Sequence, residues 1–342
     1  MKKALPLLVL LVAIGCDDER PGAEVGAPDS GVAIADTGAA PPDAATDTSE
    51  QPEARYDCAN PHPSWLFCED FEAGDGDWET WFEQSAFLTA VGGSNRGRID
   101  LSGEHRRSGD WAVYMGGDDD THRGADLVWY ACDGEQRVNC DLRGYERLYF
   151  RTWVRFAEDH NYVHHFLGIR GLDRFWEYGS AGCLPNGESA MGTTVDFRRN
   201  THETFFYTYH LDMGCDANCG NYMDVAARCQ RCDEIGMPTC EEREQCCWGN
   251  NYRPDPPVAL PVGEWFCFEM MMEANTPGAA DGEMTYWIND ELGHHVDGMR
   301  WRTTDSLQLN RVRLQHYIES SDQPQRVWFD DVVVSTERIG CN

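Results

Sequence analysis

From residue 57 onward, apolar and polar side chains alternate with a period of two in run after run. In 148–156, Leu148, Phe150, Val154 and Phe156 fall on one face of a predicted strand, and Tyr149, Arg151, Trp153 and Arg155 fall on the other. The same period recurs in 203–211, 264–273, 282–289, 310–318 and 326–334. Turn clusters separate these runs, among them Asn186-Gly187, Asn275-Thr276-Pro277-Gly278 and Asp281-Gly282. No run has the spacing of an amphipathic helix longer than about two turns. Many strands joined by short turns predict an all-β sandwich or jelly roll.

The alternation is missing at the start of the chain. Lys2 and Lys3 form a basic head, and residues 5–14 form an apolar stretch with the length of a secretory core, too short to span a bilayer. The run Leu11-Val12-Ala13-Ile14-Gly15-Cys16 follows. It resembles the bacterial lipobox, with Ala13 where that motif more often has Leu. The resemblance implies a signal peptide over 1–15, cleavage before Cys16, and acylation of that residue, which would anchor an exported protein in a cell-envelope membrane. An ordinary cleaved signal with a coincidental Cys is the alternative.

Residues 17–56 carry ten acids against two Arg, with five Pro and a single aromatic, Tyr56. Such a segment buries too little apolar surface to offset its ordering entropy, so 16–56 is expected to be a disordered tether. Forty flexible residues have a root-mean-square span of roughly 35 Å. The remainder, 57–342, reads as one domain: all 12 Trp lie in it, beginning at Trp65. It holds most of a formal net charge of −31, which argues against nucleic acid, whose affinity rests on Lys and Arg neutralising phosphates.

Fifteen Cys fit an oxidising compartment, and setting Cys16 aside leaves an even number. Cys132 and Cys140 read as a hairpin bridge. Cys58, Cys68, Cys267 and Cys341 are expected to staple the terminal strands in a pairing left open. An insertion over 215–247 holds seven Cys, so one of them should reach outside it, with Cys183 the nearest candidate. Disulfides are the expectation there. The spacing of Cys215, Cys219, Cys229 and Cys232 admits a four-thiolate zinc site as the alternative.

The ordered motifs Gly263-Glu264-Trp265-Phe266-Cys267, Ala274-Asn275-Thr276-Pro277-Gly278, Asp281-Gly282-Glu283-Met284-Thr285-Tyr286-Trp287 and Val327-Trp328-Phe329-Asp330-Asp331 resemble the second half of concanavalin A-like jelly-roll domains. The likeness is closest to the polysaccharide-lyase-like branch that includes alginate and glucuronan lyases, and it covers roughly 146–336. Leu66-Phe67-Cys68-Glu69-Asp70 and Ser108-Gly109-Asp110-Trp111 also resemble galactose-binding-like sugar modules. These resemblances imply a jelly roll that acts on or binds a polysaccharide. In the lyases a Tyr-x-Tyr pair lies on the concave sheet beside a Lys and an Arg, and this chain has Tyr207-Thr208-Tyr209. His165 stands where the Lys is expected and Thr194 where the Arg is expected, which removes the charge needed to stabilise an enolate.

Polar and aromatic residues in register suit a solvated sugar-binding face, so Arg151, Arg155, Tyr207, Tyr209, Glu269, Arg313, Gln315 and Tyr317 are candidate glycan contacts. Should the protein be a lyase, Tyr209, His165 and His210 are the candidate proton-transfer groups. Glu69, Asp70 and Asp331 are candidate ligands for a structural calcium ion, as sugar modules of this type imply. The expected function is polysaccharide binding by a membrane-tethered lipoprotein. Lyase activity is the alternative, and a structural or adhesion role is the third.

Overall fold

The computed structural model describes residues 56–89, 99–117, 125–134, 140–175, 182–214, 232, 247–318 and 324–341. The leader, Cys16, the tether up to residue 55 and most of the 215–247 insertion lie outside these residues. In chain order the elements are β1 (Trp65–Glu69), α1 (Trp78–Gln84), β2 (Ile99–Ser102), β3 (Ala112–Gly117), β4 (Ala125–Tyr130), β5 (Cys132–Asp133), β6 (Asp141–Leu142), β7 (Arg147–Phe156) and β8 (His165–Leu172). They continue with β9 (Ala190–Phe197), β10 (Thr204–Tyr209), β11 (Asn250–Tyr252), β12 (Trp265–Glu273), β13 (Gly282–Ile288), β14 (Glu291–Met299), β15 (Leu309–Tyr317) and β16 (Gln325–Ser335).

Two antiparallel sheets pack face to face as the predicted all-β jelly-roll sandwich. One has eight strands in the order β14-β13-β12-β7-β16-β3-β2, with β1 on β16; the other has six, β11-β10-β9-β8-β15-β4. Non-consecutive neighbours such as β7 beside β12 and β16 mean that the sheets are built from distant chain segments. Inward residues of both sheets meet in one core. Phe150, Val154, Phe156, Phe266, Phe268, Met270 and Phe329 come from one side, and Phe166, Leu167, Ile169, Val195, Phe206 and Leu314 from the other. Phe166 is fully buried against Phe156, Phe197, Phe268 and Phe329 with ring centroids 5.2–6.2 Å apart. Its truncation to Ala would cost about 3–5 kcal/mol.

Helix α1 is as short as the sequence predicts. Asp77 caps it by accepting from Thr80 N at 2.8 Å, and Trp81 anchors it in the core. The Asn275 turn is a polar hub: its side-chain oxygen accepts from Trp301 N and Arg302 N, and its amide donates to Thr276 O, Ala279 O and Arg302 O. This buried Asn satisfies backbone groups that would otherwise be orphaned where the chain leaves β12.

Four disulfides are described: Cys58–Cys68, Cys132–Cys140, Cys183–Cys232 and Cys267–Cys341. The hairpin bridge and the link from Cys183 into the insertion match expectation, and the open pairing of the terminal cysteines resolves to one local and one long-range bridge. Cys232 is spent on Cys183, so the four-thiolate zinc alternative loses a ligand and is corrected. Among the described residues no cluster of three or more His, Cys, Asp or Glu is arranged to hold a metal ion.

Candidate functional site

The outward face of the six-stranded sheet carries the site, and strand register builds it in rows. Tyr207 on β10 pairs with Thr194 on β9, Thr194 with Gly168 on β8, and Gly168 with Arg313 on β15. The next row on the same face runs Tyr209, Gly192, Arg170, Arg311 and Tyr130. Glycine is required inside the second row: a Cβ on Gly192 would lie 2.5 Å from Arg170 Cγ, so its absence makes the lane in which the arginine stem lies.

Three arginines therefore converge on one face of a chain with net charge −31. Arg313 forms an ion pair with Asp126, donating from Nε at 2.7 Å, and the Arg311 guanidinium lies 5.3 Å from the centre of the Tyr130 ring. Among the described residues Arg170 forms no ion pair. Burial, together with the neighbouring Arg311 and Arg313 charges, pulls Arg170 down to about 10. That crowding of like charge marks a place ready to accept an anion.

His165 stands at the edge of this cluster, 26% exposed, with its ring 5.5 Å from Tyr207 and 5.9 Å from Tyr317. Its Nδ1 lies 3.0 Å from Asp196 Oδ2, while Asp196 Oδ1 accepts from Phe166 N. Burial pushes Asp196 up to about 7, and burial with the Arg170 and Arg313 charges pushes His165 down to about 3. The imidazole is therefore neutral. When Asp196 is ionised it holds the proton on Nδ1, leaving Nε2 with a lone pair; when Asp196 is protonated, the tautomer reverses. Burial and the adjacent Tyr209 hold the Tyr207 phenol well above its ordinary range, so it is a proton donor and not a phenolate.

Several candidate residues do not join this face. Arg151, Arg155 and Glu269 lie on β7 and β12 of the other sheet, where Arg151 pairs with Glu269 and Arg155 with Trp265. The expectation that they share a groove with Tyr207 and Arg313 is thus corrected: the alternation is real, but β7 and β15 belong to opposite layers. Tyr209 is in the correct row yet only 6% exposed, packed with Met213 and Cys247, so its ring face is not an open stacking platform. Tyr209 and Tyr207 hydroxyls lie 3.1 Å apart, which makes Tyr209 a support for Tyr207. Gln315 is buried at the position opposite Asp126, and Tyr317 pairs with His165 across β15 and β8.

His210 is engaged at both ring nitrogens. Asp212 N donates to Nδ1, and Nε2 donates to Asn250 Oδ1 at 2.7 Å, which fixes the tautomer and removes the free base position. The candidate calcium ligands are likewise employed separately. Glu69 Oε1 accepts from Trp81 Nε1 and Phe71 N, Asp70 Oδ1 from Glu72 N, and Asp331 Oδ1 from Ser108 Oγ.

Arg170, Arg311, Asp126 and Asp196 are the residues of this face that sequence reading missed. For Arg311 the signal was present, since it continues the period-two series of Arg313, Gln315 and Tyr317. Arg170 sits alone in the apolar run Phe166-Leu167-Gly168-Ile169, and only register reveals its neighbours.

No family model matches the sequence, and no curated protein matches it. Among solved structures, the chain is similar to the alginate lyase Aly36B, at 14% identity and TM-score 0.49, over 82% of this chain and 99% of that one. It is similar to the alginate lyase vAL-1 from Chlorella virus at 11% identity and TM-score 0.49, over 70% and 90%. An endo-β-1,4-glucuronan lyase from the fungus Trichoderma reesei gives 14% identity and TM-score 0.45, over 80% and 96%. The functional reading rests on the residues of this face.

Proposed function

We propose that this protein is a cell-envelope lipoprotein, anchored through Cys16, whose outward groove on the six-stranded sheet binds an acidic polysaccharide. The carrying observation is the convergence of Arg170, Arg311 and Arg313 beside Tyr207 and Tyr317. Guanidinium groups fork to carboxylates with fixed geometry, and the surrounding hydroxyls suit sugar oxygens. Arg170→Ala should lower affinity for a polyuronate about tenfold to a hundredfold, as loss of a charge-assisted hydrogen bond does. The variant should remain folded, because removing Arg170 relieves repulsion with its arginine neighbours. Unchanged affinity in a folded variant would refute the reading. Anchoring rests on the leader and Cys16, and Cys16→Ser should move the protein out of the detergent phase.

A second reading, β-elimination on the same polymer, is favoured by one observation: the neutral His165 imidazole beside Tyr207 and the arginine cluster. The sequence places Thr194 and His165 where cations are expected, but the register supplies Arg170 and Arg311 from elsewhere. In such a reaction a base removes the proton on the carbon bearing the carboxyl group, and arginine stabilises the resulting enolate. The bond to the glycosidic oxygen at the adjacent carbon then breaks, a double bond forms, and the departing oxygen takes a proton from a phenol. His165 Nε2 is the base and Tyr207 the acid in this scheme. The test is new ultraviolet absorbance from unsaturated sugar ends. It should rise as pH increases through about 7, where ionised Asp196 fixes the Nδ1–H tautomer. No absorbance from alginate or glucuronan at any pH leaves binding as the function.

A further inference from the structure

The opposite side of the sandwich carries a second basic concavity that the groove does not use. It is an open pocket of about 530 Å³ over the eight-stranded sheet, walled by the loop 104–109 and floored by Arg155 and Trp265. Arg155 sits between Trp265 on β12 and the buried Trp328 on β16 in the strand register. His105 stands edge-on to Trp328 at 4.4 Å, and the Arg107 guanidinium lies 4.1 Å from the centre of the Trp153 ring. Among its lining residues three arginines and a histidine stand with one acid, Glu104, whose side chain is 75% exposed, and Asp331 reaches the rim through Ser108 Oγ.

Two features make this a built site and not a solvated surface. The loop is pinned: Asp330 accepts from Arg107 N at 2.7 Å and Ser108 N at 3.2 Å, and Arg106 braces it by donating to Gly103 O and Gly109 O. Among the described residues Arg155 Nε is buried with no acceptor, and no carboxylate forms an ion pair with this arginine, which lines the pocket.

We propose that this pocket binds an acidic sugar unit, its carboxylate or sulfate group held by Arg155 and Arg107 and its ring lying against Trp265. Arginine forks suit both kinds of oxyanion, and a half-buried indole presents an apolar face to the sugar ring. The protein would then hold acidic polysaccharide on two opposite faces and could bridge two strands. The ligand class is shared with the groove reading, but the residues are separate, so the two stand or fall independently.

Titration calorimetry of the full-length protein with a uronate hexasaccharide, and in a second arm with a sulfated hexasaccharide, tests this. Wild type should bind two molecules of at least one of them. Arg155→Gln should remove one site, and the exposed Arg107→Gln, which leaves the sheet intact, should weaken the same site about tenfold. The arm that responds identifies the oxyanion. One site that is lost in Arg170→Ala and untouched by Arg155→Gln and Arg107→Gln would overturn the proposal and leave the groove standing. One site with the reverse dependence would overturn the groove and leave the pocket. A neutral hexasaccharide binding as tightly as the charged ones, with no response to Arg107→Gln, would also overturn it.

Discussion

The outer faces of the two sheets carry the same alternation of arginine and aromatic side chains, yet they use it oppositely. On the eight-stranded face Glu269, opposite Arg151 in the ladder, pairs with Arg338 and accepts from Ile339 N and Gly340 N as the C-terminal segment lies over it. Arg338 stacks on Trp287, and Cys267–Cys341 fixes the segment. Much of that face is therefore closed by the chain itself. On the six-stranded face Arg313 has Asp126, while Arg170 and Arg311 face one another. Charge met within the fold, as Glu269 is by Arg338, serves stability, whereas Arg170, with no ion pair among the described residues, is available to a ligand.

The largest effect should come from disturbing the satisfied face. Glu269→Ala removes the buried partner of Arg338 and the acceptor for two backbone N–H groups, and should cost about 3 kcal/mol in denaturant unfolding while groove affinity is unchanged. An unaltered unfolding midpoint would break the contrast between the faces.

A pH effect comes next, and both faces contribute to it. Burial raises Asp196 in the groove and Asp330 under the loop 104–109 to about 7, the latter aided by the charge of Asp331. Both carboxyls bind protons more tightly in the folded state than in the unfolded one. Their contribution is thus full at acid pH below the unfolded value and is lost as pH rises to about 7. Burial lowers His160, His165 and His202, whose contribution runs the other way over the same interval, so the carboxyl term is read by difference: the advantage of wild type over Asp330→Asn in unfolding midpoint should shrink from pH 5 to pH 7 and then level off. A difference that stays constant or grows across this interval would contradict the assignment. The smallest effect should be Arg300→Ala, which breaks an exposed pair with Asp212, at under about 1 kcal/mol.

The class of fold was legible because period-two alternation reports burial on one face of a strand, as Leu148, Phe150, Val154 and Phe156 all prove fully buried. The Asn275 turn and the Cys132–Cys140 bridge were legible because each is local. The site was only half legible. Tyr207, Arg313, Tyr317 and His165 lie on the six-stranded sheet, whereas Arg151, Arg155 and Glu269 lie on the other layer, since alternation fixes a residue's face within a strand but not the sheet that strand joins. The Arg170–Arg311 contact and the Asp196 support of His165 arise from cross-strand register between distant segments, and no spacing along the chain encodes that.

The most direct measurement compares binding of the full-length protein to a polyuronate and to the same polymer after its carboxyl groups are reduced to alcohols. The groove account predicts measurable affinity for the acidic polymer that weakens with added salt, and little or none for the neutral one. Equal, salt-insensitive affinity for both would contradict it, because the arginine cluster would then play no part in recognition.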